Sequence, residues 1–332
     1  MFFPPLPDPS GELTIPGFSI GQGTDASGMT GVTVVLCPQG AIAAAEVRGS
    51  ATGTRQFDSL VAVNHLATRA HAVVLAGGSG FGLACADPVV DALAREGHGF
   101  DAGVARVPLV PTAILFDLGF GDPGAHPDRA LVERALGSAA TGQIAVGSVG
   151  AGTGATVGKA MGLACAMKGG IGFASLQVES GLTVAALVAV NAFGDVRDPR
   201  SRAIVAGCRN GPDSHELVGA DRVLAALPPD LHNPWEGNTT LAVVLTDAAL
   251  AKKAALKICQ MAMGGLFRTI SPALSLYDGD LVVTLALGDR AAHLHQVAVL
   301  AERAVAEAIL VAVRSADGFG LLPAVRDLQT AR

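Results

Sequence analysis

Apolar residues in this chain gather into short runs broken by glycine-rich or polar stretches. Gly31-Val32-Thr33-Val34-Val35-Leu36 predicts a buried strand, with a shorter one at Phe18-Ser19-Ile20-Gly21 before it. Ala41 to Val47 is small and apolar and reads as a hairpin partner returning on that strand. Further strands are predicted at Ala72–Leu75, Thr112–Leu118, Gly172–Val178, Thr183–Val190 and Asp280–Leu287, and in the run Leu241-Ala242-Val243-Val244-Leu245. The Thr183–Val190 run is apolar throughout, as expected of a strand covered on both faces. Asp87 as N-cap and Pro88 at the first helical position predict one helix. Others are predicted over Pro127–Ala139 and Asp221–Leu227, from Asp247 to about Met263, and over 292–314. In the last, Gln296, Arg303, Glu307 and Arg314 fall on one narrow stripe, so most of that helix is expected to be buried. Paired strands followed by long helices predict layered α/β architecture, helices outside and sheets inside. Residues 1–12 read as an extended, Pro-rich arm. Residues 194–220 are the most polar stretch and read as a surface segment. Pro228-Pro229 and His232-Asn233-Pro234-Trp235 lead into Gly237.

Composition narrows this picture. Half of the 332 residues are hydrophobic but only 4% are aromatic, and 42 are Gly. Such a chain packs layers closely, with small side chains between them. Charged residues make up 16%, below the usual roughly 25%. With a mean hydropathy of +0.45, this predicts much buried surface and a homo-oligomer. The net charge is −6 and no basic cluster exists, which argues against a nucleic-acid partner. No run reaches the roughly 18 apolar residues of a membrane span. The N-terminal stretch has no basic region and too short an apolar run for a signal peptide. The five Cys are scattered, without C-x-x-C, and read as core residues of a reducing compartment; a cytoplasmic protein is expected.

Candidate chemistry sits at strand ends. Asn238-Thr239 in Gly237-Asn238-Thr239-Thr240 reads either as a turn entering a strand or as a self-cleavage junction that frees Thr239 as a new N-terminus. A free α-amino group titrates at about 7.7–8.0, which suits a base at neutral pH. Thr with its own amine is an activated nucleophile. Lys159, in the apolar setting Gly158-Lys159-Ala160-Met161, is either a snorkelling cation or a charge aimed into a site. Asn191 ends an apolar strand and either caps a turn or offers N–H₂ to an oxyanion. Asp278 and Asp280 either frame a turn or share a face and hold a cation. The Gly77–Gly82 run lacks the Lys-Ser/Thr of a P-loop and the full dinucleotide fingerprint, leaving close backbone packing or a pocket wall of N–H groups. The eight His show no metal spacing and no Ser sits in a G-x-S-x-G elbow, so neither a metal nor a serine triad is expected.

Several motifs stand in an order that resembles one family. These are Gly31-Val32-Thr33-Val34-Val35, Arg48-Gly49 with Gly53-Thr54-Arg55, Leu75-Ala76-Gly77-Gly78-Ser79 with Gly82-Leu83, Val190-Asn191 and Gly237-Asn238-Thr239-Thr240. Together, over residues 14–315, they are similar to the L-aminopeptidase/D-esterase family of self-processing hydrolases. That family includes β-peptidyl aminopeptidases and 6-aminohexanoate-oligomer (nylon) endohydrolases. The resemblance implies an αββα sandwich over residues 13–332, shared with ornithine acetyltransferases. It also implies cleavage into an α chain 1–238 and a β chain 239–332, expected to assemble as a tetramer of αβ units. Thr239, Lys159, Asn191, Asp278 and Asp280 fall where the nylon-oligomer hydrolases carry their site residues. The implied reaction is hydrolysis of a small amide or peptide substrate, without a cofactor. Acyl transfer, or binding without turnover, are the alternatives. Gly78, Ser79, Phe81 and Phe116 are the expected substrate contacts. Phe116 and Phe81 depart from the Tyr common in the family at both places, which implies a more apolar pocket.

Overall fold

The computed structural model describes residues 5–228 and 237–329, and one long strand organises it. β1 (Ser19–Asp25) turns into β2 (Thr30–Val47), which runs for 18 residues. The first part of β2 pairs with β1 on one side and with β4 (Arg69–Ala76) on the other. Between Leu36 and Ala41 the register shifts, and the second part pairs with the strand Leu281–Arg290. The predicted hairpin at Ala41–Val47 is therefore a continuation of the same strand. Pro38 lacks an N–H and Gly40 sits at φ +82°, so the turn signal there is realised as a bulge rather than a reversal.

The other strands of this sheet are β3 (Gly53–Arg55), β5 (Thr112–Ile114), β6 (Gly170–Gln177), β7 (Thr183–Asn191), β8 (Thr239–Ala248) and β9 (Leu281–Arg290). Their order is β6-β7-β8-β9-β2-β4-β5-β3. Because β2 belongs to both halves, the sheet folds over on itself into two layers. Leu13, Phe18, Val35, Val73 and Leu75 meet Ile171, Phe173, Leu187, Val243, Val283 and Leu285 in the core between the layers. Outside one layer lie α1 (Ala86–Arg95) and α2 (Arg129–Gly137), packed on Val32, Val34, Ala72 and Val74. Outside the other lie α3 (Lys252–Thr269) and α4 (Leu294–Arg314), packed on Val184, Ala186, Val188, Ala242 and Val244. This is the expected αββα sandwich. The runs 184–190 of β7 and 241–245 of β8 are apolar because both of their faces are core. The layers pack closely through small residues: a Cβ on Gly172 would strike the Ala308 carbonyl oxygen of α4, and one on Gly21 that of Ala135 in α2.

Several local expectations change. Ser79–Cys85 forms a 3₁₀ helix that runs directly into α1, so Asp87 lies inside the first turn and does not cap it. Asp247 belongs to β8, where it accepts the Thr183 N–H at 2.9 Å and pairs with Arg290, while α3 begins at Lys252 without a side-chain cap. The strand expected over Thr112–Leu118 stops at Ile114. Residues 194–220 are not all surface: Asp195–Arg197 and Ile204–Ala206 pair in a small sheet, and Arg209 is only 1% exposed, with its guanidinium on the carbonyls of Ala164, Ala166 and Ser214. Of the arm, Ser10 is tied to Ser175 by a 2.8 Å backbone bond and Glu12–Leu13 pairs with Gly142–Gln143. Residues 1–4, and Pro229 with His232–Trp235 of the predicted lead-in, lie outside the described residues.

Candidate active site

The Asn238–Thr239 peptide lies between two neighbouring elements. On one side β7 and β8 run antiparallel, with Asn191 directly opposite Thr239. On the other side β8 runs parallel to β9, and the loop before β9 brings Asp278 beside Asn238. The Asn238 N–H donates to the Tyr277 carbonyl at 3.1 Å, and the Asn238 carbonyl oxygen accepts the Gly279 N–H at 2.9 Å. The Thr239 hydroxyl also donates to that carbonyl oxygen. Thr239 is 2% exposed. The hydroxyl and the carbonyl preceding it are thus in contact, with a backbone donor already on the oxygen.

Gly279 has to be glycine for this arrangement. A Cβ there would lie 2.8 Å from Thr239 Oγ1 and 2.9 Å from the Ala51 carbonyl oxygen. The Arg48–Ala51 loop holds this corner in place: the N–H groups of Arg48 and Gly49 donate to the Asp280 carbonyl at 3.1 and 3.0 Å, and that of Ala51 to the Asp278 carbonyl at 3.0 Å. The sequence draws attention to the two carboxylates and not to the glycine between them.

Asn191 and Lys159 form one buried unit. Lys159 Nζ donates to Asn191 Oδ1 at 2.9 Å and to the Asn191 carbonyl at 3.1 Å. Asn191 Oδ1 also accepts the Thr156 N–H at 3.0 Å, while Nδ2 donates to the Phe116 carbonyl at 2.8 Å. Lys159 is 4% exposed, so it does not snorkel. Asn191, expected as an oxyanion donor, here directs an N–H to Phe116, and the donor on the Asn238 carbonyl is Gly279. Thr156 carries no signal in the sequence beyond its Gly-rich surroundings.

The two carboxylates act as backbone anchors. Asp278 accepts N–H groups from Phe193 at 3.1 Å and Ser275 at 2.9 Å; Asp280 accepts them from Thr240 at 2.6 Å and Leu274 at 3.2 Å. Burial pushes the Asp278 carboxyl up, with its hydrogen bonds from Ser275 and Phe193, and then the charge of Lys159, pulling it partly back. Burial, then the charge of Asp278, pushes Asp280 up to about 7. The dyad of the intact chain therefore holds a proton well above the usual carboxylate range. A raised acid stabilises the fold most below its unfolded pKa of about 3.9, and that contribution is lost as pH rises through about 7. In a Thr239→Ala background, confirmed as a single chain by mass, Tm is expected to fall between pH 5 and pH 8. Adding Asp280→Asn should flatten that slope; equal slopes in thermal melts of the two proteins would contradict it.

Phe116 lines a small cavity of about 30 Å³ together with Asp117, Phe120, Thr156, Lys159 and Gly237. That is room for about one water. Asp117 is held by the Gly78 N–H at 2.6 Å and the Thr30 hydroxyl at 2.8 Å, and burial pushes it up to about 6. Behind it Lys168, fully buried, donates to the carbonyls of Gly152, Ala155 and Gly169 at 3.0, 2.7 and 3.2 Å and lies 5.5 Å from the Phe120 ring centroid. Burial lowers it to about 7. Its apolar setting resembles that of Lys159, and that resemblance is the signal the sequence offers. Among the expected substrate contacts, Gly78 and Ser79 direct their N–H groups to Asp117 and the Leu115 carbonyl, so they form no wall of free donors. Phe81 is 60% exposed and stacks on His126 at 5.0 Å. None of these three lines the cavity beside Lys159, whereas Phe116 does. Among the described residues no His, Cys, Asp and Glu group is arranged to hold a metal, and no helix is long and apolar enough to cross a membrane.

A profile of peptidase family S58 matches residues 13–320. The chain belongs to peptidase family S58. As a member it is a hydrolase of peptide or amide bonds. An uncharacterized aminopeptidase of Mycobacterium leprae is 37% identical over 316 residues, spanning 88% of this chain and 84% of that protein. A 6-aminohexanoate-oligomer endohydrolase of Paenarthrobacter ureafaciens is 30% identical over 274 residues, spanning 81% and 72%. Among solved structures, a β-aminopeptidase of Burkholderia sp. superimposes with a TM-score of 0.69 at 22% identity, covering 100% of this chain and 96% of that one. The L-aminopeptidase D-Ala-esterase/amidase of Ochrobactrum anthropi, described as a variant of the Ntn-hydrolase fold, superimposes with a TM-score of 0.70 at 19% identity, covering 100% and 95%. These two likenesses establish the shared fold of this S58 chain.

Proposed function

We propose that this S58 chain cuts its own Asn238–Thr239 bond and then uses Thr239 as an N-terminal nucleophile on short peptides or amino-acid oligomers. The observation that carries the proposal is the Thr239 hydroxyl on the Asn238 carbonyl oxygen, which also accepts the Gly279 N–H at 2.9 Å. In maturation Thr239 Oγ1 attacks the Asn238 carbonyl carbon and its proton passes to the departing Thr239 nitrogen. The C–N bond breaks, leaving an ester between Asn238 and the Thr239 hydroxyl. Water adds to that ester, giving the Asn238 carboxylate and a free Thr239 with hydroxyl and amine. In turnover the amine takes the Oγ1 proton as the hydroxyl attacks the substrate carbonyl, then gives it to the leaving amine. Water hydrolyses the acyl-enzyme. Asn191 positions Lys159, whose charge favours the developing anion. Asp280, on the Thr240 N–H, stands one residue from the new ammonium. N-terminal sequencing and intact mass of the purified protein test this: two chains, one starting at Thr239, are expected, and a single mass would overturn it.

A carboxylate in the cavity wall supports a reading of the substrate class. Asp117 is the carboxylate there, whereas Glu179 lines a separate groove with Leu6 and His295. We propose that Asp117 faces the free ammonium of an uncapped substrate, making the protein an aminopeptidase. Uncapped oligomers are expected to be hydrolysed at least about tenfold faster than N-acetylated ones, since a hydrogen bond to a charged group contributes roughly 1.5–3 kcal/mol. Equal rates would point instead to internal cleavage.

A further inference from the structure

A groove of about 930 Å³, lined in part by Arg197, Ile204 and Val205 of the small Asp195–Arg197 sheet, contains none of the residues of the Thr239 cluster. Four guanidinium groups reach it from separate segments. Arg197 comes from the strand Asp195–Arg197, Arg202 from the turn after it, Arg222 from the helix Ala220–Ala225, and Arg314 from the end of α4. His215 joins them, and Glu216 is the one acidic residue in the lining. In a chain of net charge −6 with 16% charged residues, four arginines in one groove lining stand out, although Asp195, Asp198 and Asp221 lie against two of them.

The cations are only partly neutralised. Arg197 pairs with Asp221 at 2.9 Å and lies 3.7 Å from buried Asp195, yet its Nε is buried without an acceptor. Arg314 pairs with Asp198 at 3.0 Å. Arg202 and Arg222 are exposed and make no side-chain hydrogen bond or ion pair among the described residues. Arg202 is moreover held at φ +62°, uncommon for a non-glycine residue, by its N–H on the Asp198 carbonyl at 2.7 Å. The floor is apolar, from Ile204, Leu217 and Val325. Converging guanidinium forks are the groups that recognise phosphate and carboxylate oxygens in bidentate fashion. The volume falls in the roughly 300–1,000 Å³ range of small-molecule sites.

We propose that this groove binds a small polyanion, an organic or inorganic molecule bearing two or more phosphate or carboxylate groups. Arg202 and Arg222 supply the free charge, and Arg197 and Arg314, each already paired with a carboxylate, add to the cationic lining. The test is a thermal-shift titration of the purified protein with sodium pyrophosphate and with sodium citrate, each against sodium chloride at matched ionic strength. At least one is expected to raise Tm above the chloride control, with an apparent Kd at least about tenfold weaker in Arg202→Gln/Arg222→Gln. A response to pyrophosphate alone assigns phosphate as the group recognised, and a response to citrate alone assigns carboxylate. No rise with either anion overturns the proposal, as does an equal rise in the double variant. Should the double variant misfold, Arg222→Gln alone carries the same comparison. Neither arginine belongs to the Thr239 cluster, so hydrolysis without added anion is expected to be unchanged.

Discussion

Thr239→Ala is expected to leave the purified protein as one chain of 33.3 kDa, with amide hydrolysis reduced by roughly 10⁴-fold or more. Alanine removes the attacking oxygen for maturation, and without maturation no amine is freed to act as base. The two losses share one cause, so they cannot be separated by adding substrate or time. Thr239→Ser retains an attacking hydroxyl and is expected to be processed, because the contact with the Asn238 carbonyl needs the oxygen and not the methyl group. Intact mass spectrometry over a time course, followed by an assay on amino-acid amides, reads both steps. An alanine variant that still appears as two chains would show that another group, or a contaminating protease, makes the cut.

Removing the Gly279 N–H is expected to slow self-cleavage by about 10²–10³-fold, the usual effect of losing one oxyanion donor. The bond of 2.9 Å to the Asn238 oxygen exists before reaction and should strengthen as that oxygen gains charge. Glycolic acid placed at position 279 by nonsense suppression exchanges the N–H for an oxygen and adds no atoms elsewhere. Gly279→Ala tests the second requirement, space, because its Cβ would meet Thr239 Oγ1 at 2.8 Å. Slow processing in both variants, with unchanged melting behaviour, is the expected result. Wild-type processing with glycolic acid at 279 would remove Gly279 from the oxyanion site. Slow processing in the alanine variant alone would limit its role to making room.

Much of the architecture was legible in the residue pattern. The apolar run 183–190 announced a strand covered on both faces, the run 241–245 announced a buried strand, and the stripe of Gln296, Arg303, Glu307 and Arg314 announced a mostly buried last helix. Boundaries and caps were less legible. Asp247 followed by a helical pattern looks like an N-cap, but its carboxylate is engaged across strands by Thr183 and Arg290. Pro38-Gln39-Gly40 looks like a reversal, but pairing of Ala41–Val47 with β9 keeps the chain running forward. In both cases a partner more than 30 residues away outweighs the local preference, as tertiary context commonly does. Arg209 was illegible for a related reason: it is buried on the carbonyls of Ala164 and Ala166, more than 40 residues away, and a carbonyl has no signature in sequence.

By itself the sequence determined a layered α/β class and the polar residues set at the ends of apolar strands, including Asn238, Thr239, Lys159, Asn191 and the Asp278–Asp280 pair, and its resemblance to one family implied the αββα arrangement. The first two properties are written in side-chain type and spacing. Only the tertiary structure decided which of them meet and in what role. The pairing of β7 with β8 sets Asn191 opposite Thr239, and the parallel approach of the loop before β9 brings a glycine N–H, rather than a side chain, to the Asn238 carbonyl. Backbone donors are the same at every non-proline position, so their function comes from placement alone.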